Sequence, residues 1–302
     1  MSYYDDEKNK IRRTKVSSNN TKSKTQSIPK KVVNNNENKQ INNNNKNNYK
    51  SKGSRVKNGR AKKKRKNKKF IGFIKKSLIF LLIISFVGSI AGNAFMNIIF
   101  KDSPDPTYAY LKEKSISSEY VSIGKIPTDL QHAVVSIEDE RFFDHKGVDY
   151  FSLTRSVVHN IFKESTQGGS TLEMQVSKNL LTSMDQTIKR KLRDMYNAKR
   201  MDKNMNKREI LELYLNNIYL GRGIYGVAKG AKVYFDKDVS ELNLGECALL
   251  AGITNNPGLY SKDYNAAKKR RDIILYKMEE LGYITKDEYE KAKREESPMN
   301  IQ

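Results

Sequence analysis

The chain has 302 residues, enough for one or two domains, and a formal net charge of +23. The charge does not make it a nucleic-acid binder. Residues 1–76 carry 25 of the 57 Lys and Arg with only four acids, a net of +21, whereas residues 77–302 net +2. The single cysteine, Cys247, excludes an intramolecular disulfide, and the three histidines, at 132, 145 and 159, lack metal-ligand spacing, so no metal site is expected.

Residues 1–70 read as a disordered basic tail. "VVNNNENKQINNNNKNNYKSKGSRVKNGRAKKKRKNKK" is Asn- and Lys-rich low complexity, too poor in apolar surface to offset its ordering entropy. Residues 71–100 are predicted to be a membrane anchor. Ser77–Phe100 contains no charge, and its 24 residues reach about 36 Å as a helix, against a hydrocarbon core of roughly 30 Å. A cleaved signal peptide fits poorly, because the apolar run is too long and too far from the N-terminus. Basic residues flank one end only. The positive-inside rule therefore predicts a single-pass protein of the cell membrane, with its tail in the cytoplasm and residues 101–302 outside. The basic block should also attract anionic headgroups.

Residues 101–118 begin with the Pro-containing stretch "KDSPDPTY" and are taken as a spacer. From 119 to 296 the apolar positions recur at helical spacing, which predicts a mainly α domain. Pro127-Thr128-Asp129 starts a helix whose one face carries Leu130, Val134 and Ile137. Asp149 caps a second, through Leu153, Val157, Ile161 and Phe162. Asn206 caps a third, stopped by Gly221. Asn243 and Glu246 stand in capping-box spacing before "CALLAGI". A further helix ends with Gly282, and Thr285 with Glu288 caps the last.

The stretch "SIEDERFFDHKG", 136–147, sets Glu138 and Asp139 at a helix end before an aromatic pair. Alone, it reads most simply as a solvated helix terminus. Phe142 and Phe143 could instead pack the turn onto the core and hold Glu138 against apolar walls, which makes a carboxylate a better base. Four further segments follow in order: "GGSTLEMQVSKNL" (168–180), "RKLRD" (190–194), "EILELYLNNIYLGRGIYG" (209–226) and "LNLGECALLAGITNNP" (242–257).

Together the five resemble the motifs of the peptidoglycan glycosyltransferases, a lysozyme-like helical family that polymerises lipid II behind one N-terminal transmembrane helix. No Lys-Thr-Gly follows and the chain stops soon after, so the resemblance is to the monofunctional form. It implies that the GlcNAc 4-hydroxyl of one lipid-linked sugar attacks the anomeric carbon of another. A β-1,4 bond forms with inversion and undecaprenyl pyrophosphate leaves. Such a step needs a base at the hydroxyl and positive charge at the leaving group.

The resemblance makes Glu138 the base and Asp194 a second catalytic carboxylate. Asp139, Phe142 and His145 would fix the turn and line the cleft. Lys178, Arg190 and Lys191 would meet the pyrophosphate, and Gly169, Ser170, Thr171 and Gln175 the sugars or phosphates. An ordinary loop and helix cap is the plainer reading of Gly-Gly-Ser-Thr. Glu209, Glu212, Tyr214, Asn216 and Gly221 are expected to organise the cleft, and Glu246 to cap a helix. No cofactor is required, though a divalent cation could bridge the pyrophosphate. Lipid II, the growing strand, the membrane and penicillin-binding transpeptidases are the implied partners.

Four positions depart from the family pattern. Glu173 stands in place of a small hydroxyl residue, Met174 in place of a Gln and Gln186 in place of an Arg. Asp194 replaces a Glu one methylene longer. Near an anionic substrate these changes leave Glu138 and Lys178 intact and imply an active but slower enzyme. A lipid II-binding scaffold and a glycan-cleaving lysozyme-like enzyme are the alternatives.

Overall fold

The computed structural model describes residues 94–162, 168–182 and 187–301, with 88, 91 and 92 beside them. The predicted basic tail, most of the predicted span and Gln186 lie outside these residues. Residues 94–99 are helical. Among the described residues no helix is long and apolar enough to cross a membrane.

The body from Ile99 onward contains eleven α-helices among the described residues. They are α1 (Tyr108–Glu113), α2 (Thr128–Glu138), α3 (Tyr150–Phe162), α4 (Leu172–Leu180), α5 (Ile188–Asn204) and α6 (Lys207–Asn217). There follow α7 (Val227–Phe235), α8 (Leu244–Ile253), α9 (Pro257–Tyr260), α10 (Tyr264–Leu281) and α11 (Lys286–Arg294). Pairing between extended segments is limited, among the described residues, to isolated bridges at Lys146–Val148 and Tyr219–Tyr225.

The predicted caps form. Asp149 accepts from the N–H groups of Phe151 and Ser152, and Asn206, Asn243 and Thr285 each close a capping box with the Glu three residues on. Gly282 ends α10 in the left-handed conformation. One boundary differs: α6 stops at Asn217, not at Gly221. The side-chain amides of Asn216 and Asn217 donate to the Glu212 and Leu213 carbonyls, closing the last turn from inside the helix. Five helices are not among those expected, namely α1, α4, α5, α7 and α9. In α5 most positions are charged or polar, and the faces it buries carry Asp194, Asn197, Ala198 and Met201.

α2 packs on α8 and α10, while α4 packs on α5 and α6. One apolar core joins both groups, from Leu111 through Leu130, Phe142, Leu172 and Leu213 to Leu249 and Met278. Leu111 belongs to the stretch read as a spacer, so the folded body takes in part of 101–118. Three residues of α6 fasten that incoming segment. Glu212 accepts from the Tyr108 and Tyr120 hydroxyls and from Ile123 N–H. Asn216 pairs with the Val121 backbone in both directions, and Asn217 accepts from Ser115 and from Ile116 N–H.

Candidate active site

Glu138 is the last residue of α2, the point where the two helix groups meet. Its carboxylate bridges them. One oxygen, Oε2, accepts from Gln175 Nε2 of α4 at 3.0 Å, and the other, Oε1, accepts from the Thr254 hydroxyl just past α8 at 2.6 Å. The immediate walls are therefore hydrogen-bond donors rather than the apolar surface the sequence suggested. Thr254 lies in the fifth quoted segment, 242–257, but was not singled out there. Its spacing after "CALLAG" is the only signal that could have placed it.

Behind Glu138 the chain turns inward. Phe142 is fully buried, and Asp139 accepts from Leu172 N–H at 3.1 Å and lies 2.9 Å from His145 Nε2. Burial works against protonation of His145, but the hydrogen bond and charge of Asp139 outweigh it and raise its pKa. Gly147 completes the turn at φ 77°, where a Cβ would overlap the carbonyl of Ala198. Asp139, Phe142 and His145 thus fix the turn from inside.

Glu173 joins this buried group. Its Oε1 accepts from Lys207 Nζ at 2.6 Å, and Lys207 also reaches Asp202 at 2.9 Å and covers the Phe142 ring at 4.7 Å. Burial pushes the Glu173 carboxyl up to about 7, against the pull of the Lys207 and His145 charges. By distance Asp139, His145 and Glu173 form a donor set, with ligand atoms within 4.8 Å of one another. The Lys207 ammonium already supplies a positive charge there. Glu173 and Met174 both face the interior, so neither departure adds charge to an open cleft.

Asp194 lies on the other side of α4. It accepts from Ser177 Oγ at 2.8 Å and Thr182 Oγ1 at 2.9 Å, with Arg190 Nε at 3.5 Å. Burial raises its pKa, opposed by those two hydroxyls and by the Arg190 and Lys178 charges. Asn197 donates to Ser177 Oγ, continuing the chain of bonds between α4 and α5. Lys178 and Lys191 are exposed, and Arg190 is half-buried beside Asp194. The structure thus brings Glu138 to Gln175, and Asp194 to Ser177 and Arg190, on two faces of one short helix.

In the Gly-Gly-Ser-Thr segment, Gly169 lies against α3, where a Cβ would overlap Ser156 Oγ, and Ser170 is exposed. Thr171 is buried. Its hydroxyl caps α4 at Met174 N–H and donates to Gly147 O. Glu209 and Glu246 act in capping boxes, Glu246 also pairing with Lys237 at 2.7 Å.

Comparison with known proteins identifies the family. A family model described as transglycosylase matches residues 106–279. A protein of Cupriavidus necator described as a transglycosylase is 42% identical over 218 residues, covering 72% of this chain and 94% of its own. Penicillin-binding protein 1A/1B of Bacillus subtilis is 35% identical over 254 residues, 77% of this chain but 28% of its own. The chain thus spans nearly all of the first relative and little more than a quarter of the second. A crystal structure of penicillin-binding protein 1A from Haemophilus influenzae aligns over 60% of this chain and 18% of its own, at 25% identity and a TM-score of 0.35.

Proposed function

The chain belongs to the transglycosylase family, and we propose that it is a peptidoglycan glycosyltransferase that polymerises lipid II into glycan strands for cell-wall synthesis, using Glu138 as its general base. One observation carries the assignment of the base. Glu138 ends α2 with both carboxylate oxygens held by donors from two different helix groups, so its orientation is fixed before substrate arrives.

In this reading Glu138 takes the proton of the attacking 4-hydroxyl as the new β-1,4 bond forms. Inversion follows from attack opposite the departing pyrophosphate. Lys178, Arg190 and Lys191 receive the negative charge of the leaving group, with Asp194 holding Arg190 in place. No resident cofactor enters. A divalent ion bridging the pyrophosphate would find Asp194 as its carboxylate, already engaged by Ser177 and Thr182. The domain would have the lysozyme-like fold of its family.

The apolar run before residue 101 and the exposed Phe151, Val157, Val158 and Phe162 of α3 support a single-pass protein with this site held against the lipid surface. Penicillin-binding transpeptidases are the proposed partners that would cross-link the strand. The test is Glu138→Gln, assayed with lipid II. Polymerisation should fall by roughly 10²–10⁴-fold while lipid II binding persists. Full-rate polymerisation by the variant would remove Glu138 from the mechanism.

A further inference from the structure

We infer that Thr254 is a positioning residue for Glu138, whose hydroxyl donates to the carboxylate before proton transfer and accepts from the carboxylic acid after it. The inference rests on the reading of Glu138 as the base. Thr254 Oγ1 has two acceptors within reach, Glu138 Oε1 at 2.6 Å and the Ala251 carbonyl at 2.8 Å. A hydroxyl carries one proton and two lone pairs, so it can donate to only one of them at a time.

With Glu138 ionised, the carboxylate can only accept. Two oxygens 2.6 Å apart attract only when a proton lies between them, so the Thr254 O–H must point at Oε1. The Ala251 carbonyl, in the last turn of α8, then receives no proton from Thr254. When Glu138 gains the proton of the sugar hydroxyl, the roles reverse. The new Glu138 O–H donates to Thr254 Oγ1, and the Thr254 O–H turns to Ala251 O, 2.8 Å away. No proton leaves the pair and none is gained beyond the one from the sugar. Gln175 cannot make this change, because its amide N–H only donates. The two partners therefore differ in kind: Gln175 fixes the direction of the carboxylate, and Thr254 accommodates both of its protonation states.

A purely structural reading is available, since hydroxyls near helix ends commonly bond back to the preceding turn. That reading predicts that loss of the hydroxyl alters folding stability alone. The experiment compares the full chain with Thr254→Val and Thr254→Ser in lipid II turnover, with kcat and KM measured separately. Thr254→Val should lower kcat about ten-fold with KM little changed. Thr254→Ser should recover most of the rate, with KM still at the parental value. Thr254→Ala is measured in parallel, so that a folding defect of the valine variant leaves the comparison intact. Parental kcat in the variants without hydroxyl, or a serine variant as slow as the valine one, overturns the inference. Glu138→Gln in the same assay separates the failures: if it is inactive while Thr254→Val is unaffected, only the role of Thr254 falls.

Discussion

Replacing Glu173 by Gln should flatten the pH dependence of folding stability. Glu173 is fully enclosed, with Oε1 on Lys207 and Oε2 without a hydrogen-bond partner. Burial lifts its carboxyl from 4.5 to about 7 in the folded protein. Between those values the native state retains a proton that the unfolded chain has released, so stability falls as pH rises. The interval from 4.5 to about 7 corresponds to about 3 kcal/mol, fully lost once the pH exceeds the folded value. His145, whose pKa is also raised in the fold, acts in the same direction. Glu173→Gln keeps the shape and removes the titration, and with it part of the lift on His145. Urea unfolding of both proteins, followed by far-UV circular dichroism, should show the variant gaining about 3 kcal/mol on the parent between about pH 4.5 and pH 8. The absolute stability of the variant does not matter, because the change in the difference isolates the titration. A difference constant across that range would mean that Glu173 ionises as freely in the fold as outside it, refuting the role given to its burial.

Arg271 is fully buried and donates to the carbonyls of Lys293 and Glu295, each at 3.1 Å. Arg271→Met should cost about 3 kcal/mol and speed amide exchange first in α11. Gly147→Ala should cost at least about 2 kcal/mol in thermal unfolding, from the positive φ and the overlap with Ala198. Asp194→Asn keeps the volume and an Oδ1 that can still accept from Ser177 and Thr182, but it loses the charge and turns an NH2 towards Arg190, so a loss of about 1–3 kcal/mol and slower polymerisation are expected. Asp194→Glu should bring no gain in rate, since a site 3% exposed has no room for another methylene.

Much of the fold was legible because its helices announce themselves by local chemistry. Asn206, Asn243 and Thr285 are followed three residues later by Glu, and that spacing alone locates three helix starts. The position of Glu138 at a helix end was likewise readable from Pro127 and the apolar period. The environment of Glu138 was not. Gln175 and Thr254 lie 37 and 116 residues away in sequence, and only the packing of α4 and α8 beside α2 brings them together. Glu173 misled for a related reason. A charged residue in a motif suggests an open cleft, whereas its partner Lys207 waits 34 residues on, at the start of α6. The helix α5 shows the same limit: its buried face sets Asp194 and Asn197 among Ala198 and Met201, and their hydrogen bonds to Ser177 of α4 add to the apolar contact of Ala198 with Met174.

The central claim is that this chain builds glycan by consuming lipid II. Incubating the full chain with labelled lipid II, and separately with isolated sacculi, tests it most directly. The account predicts lengthening strands of β-1,4-linked disaccharides, one undecaprenyl pyrophosphate released per bond formed, and sacculi left intact. Shortened glycan from sacculi with lipid II unconsumed would contradict it, as would tight binding of lipid II without any release of undecaprenyl pyrophosphate.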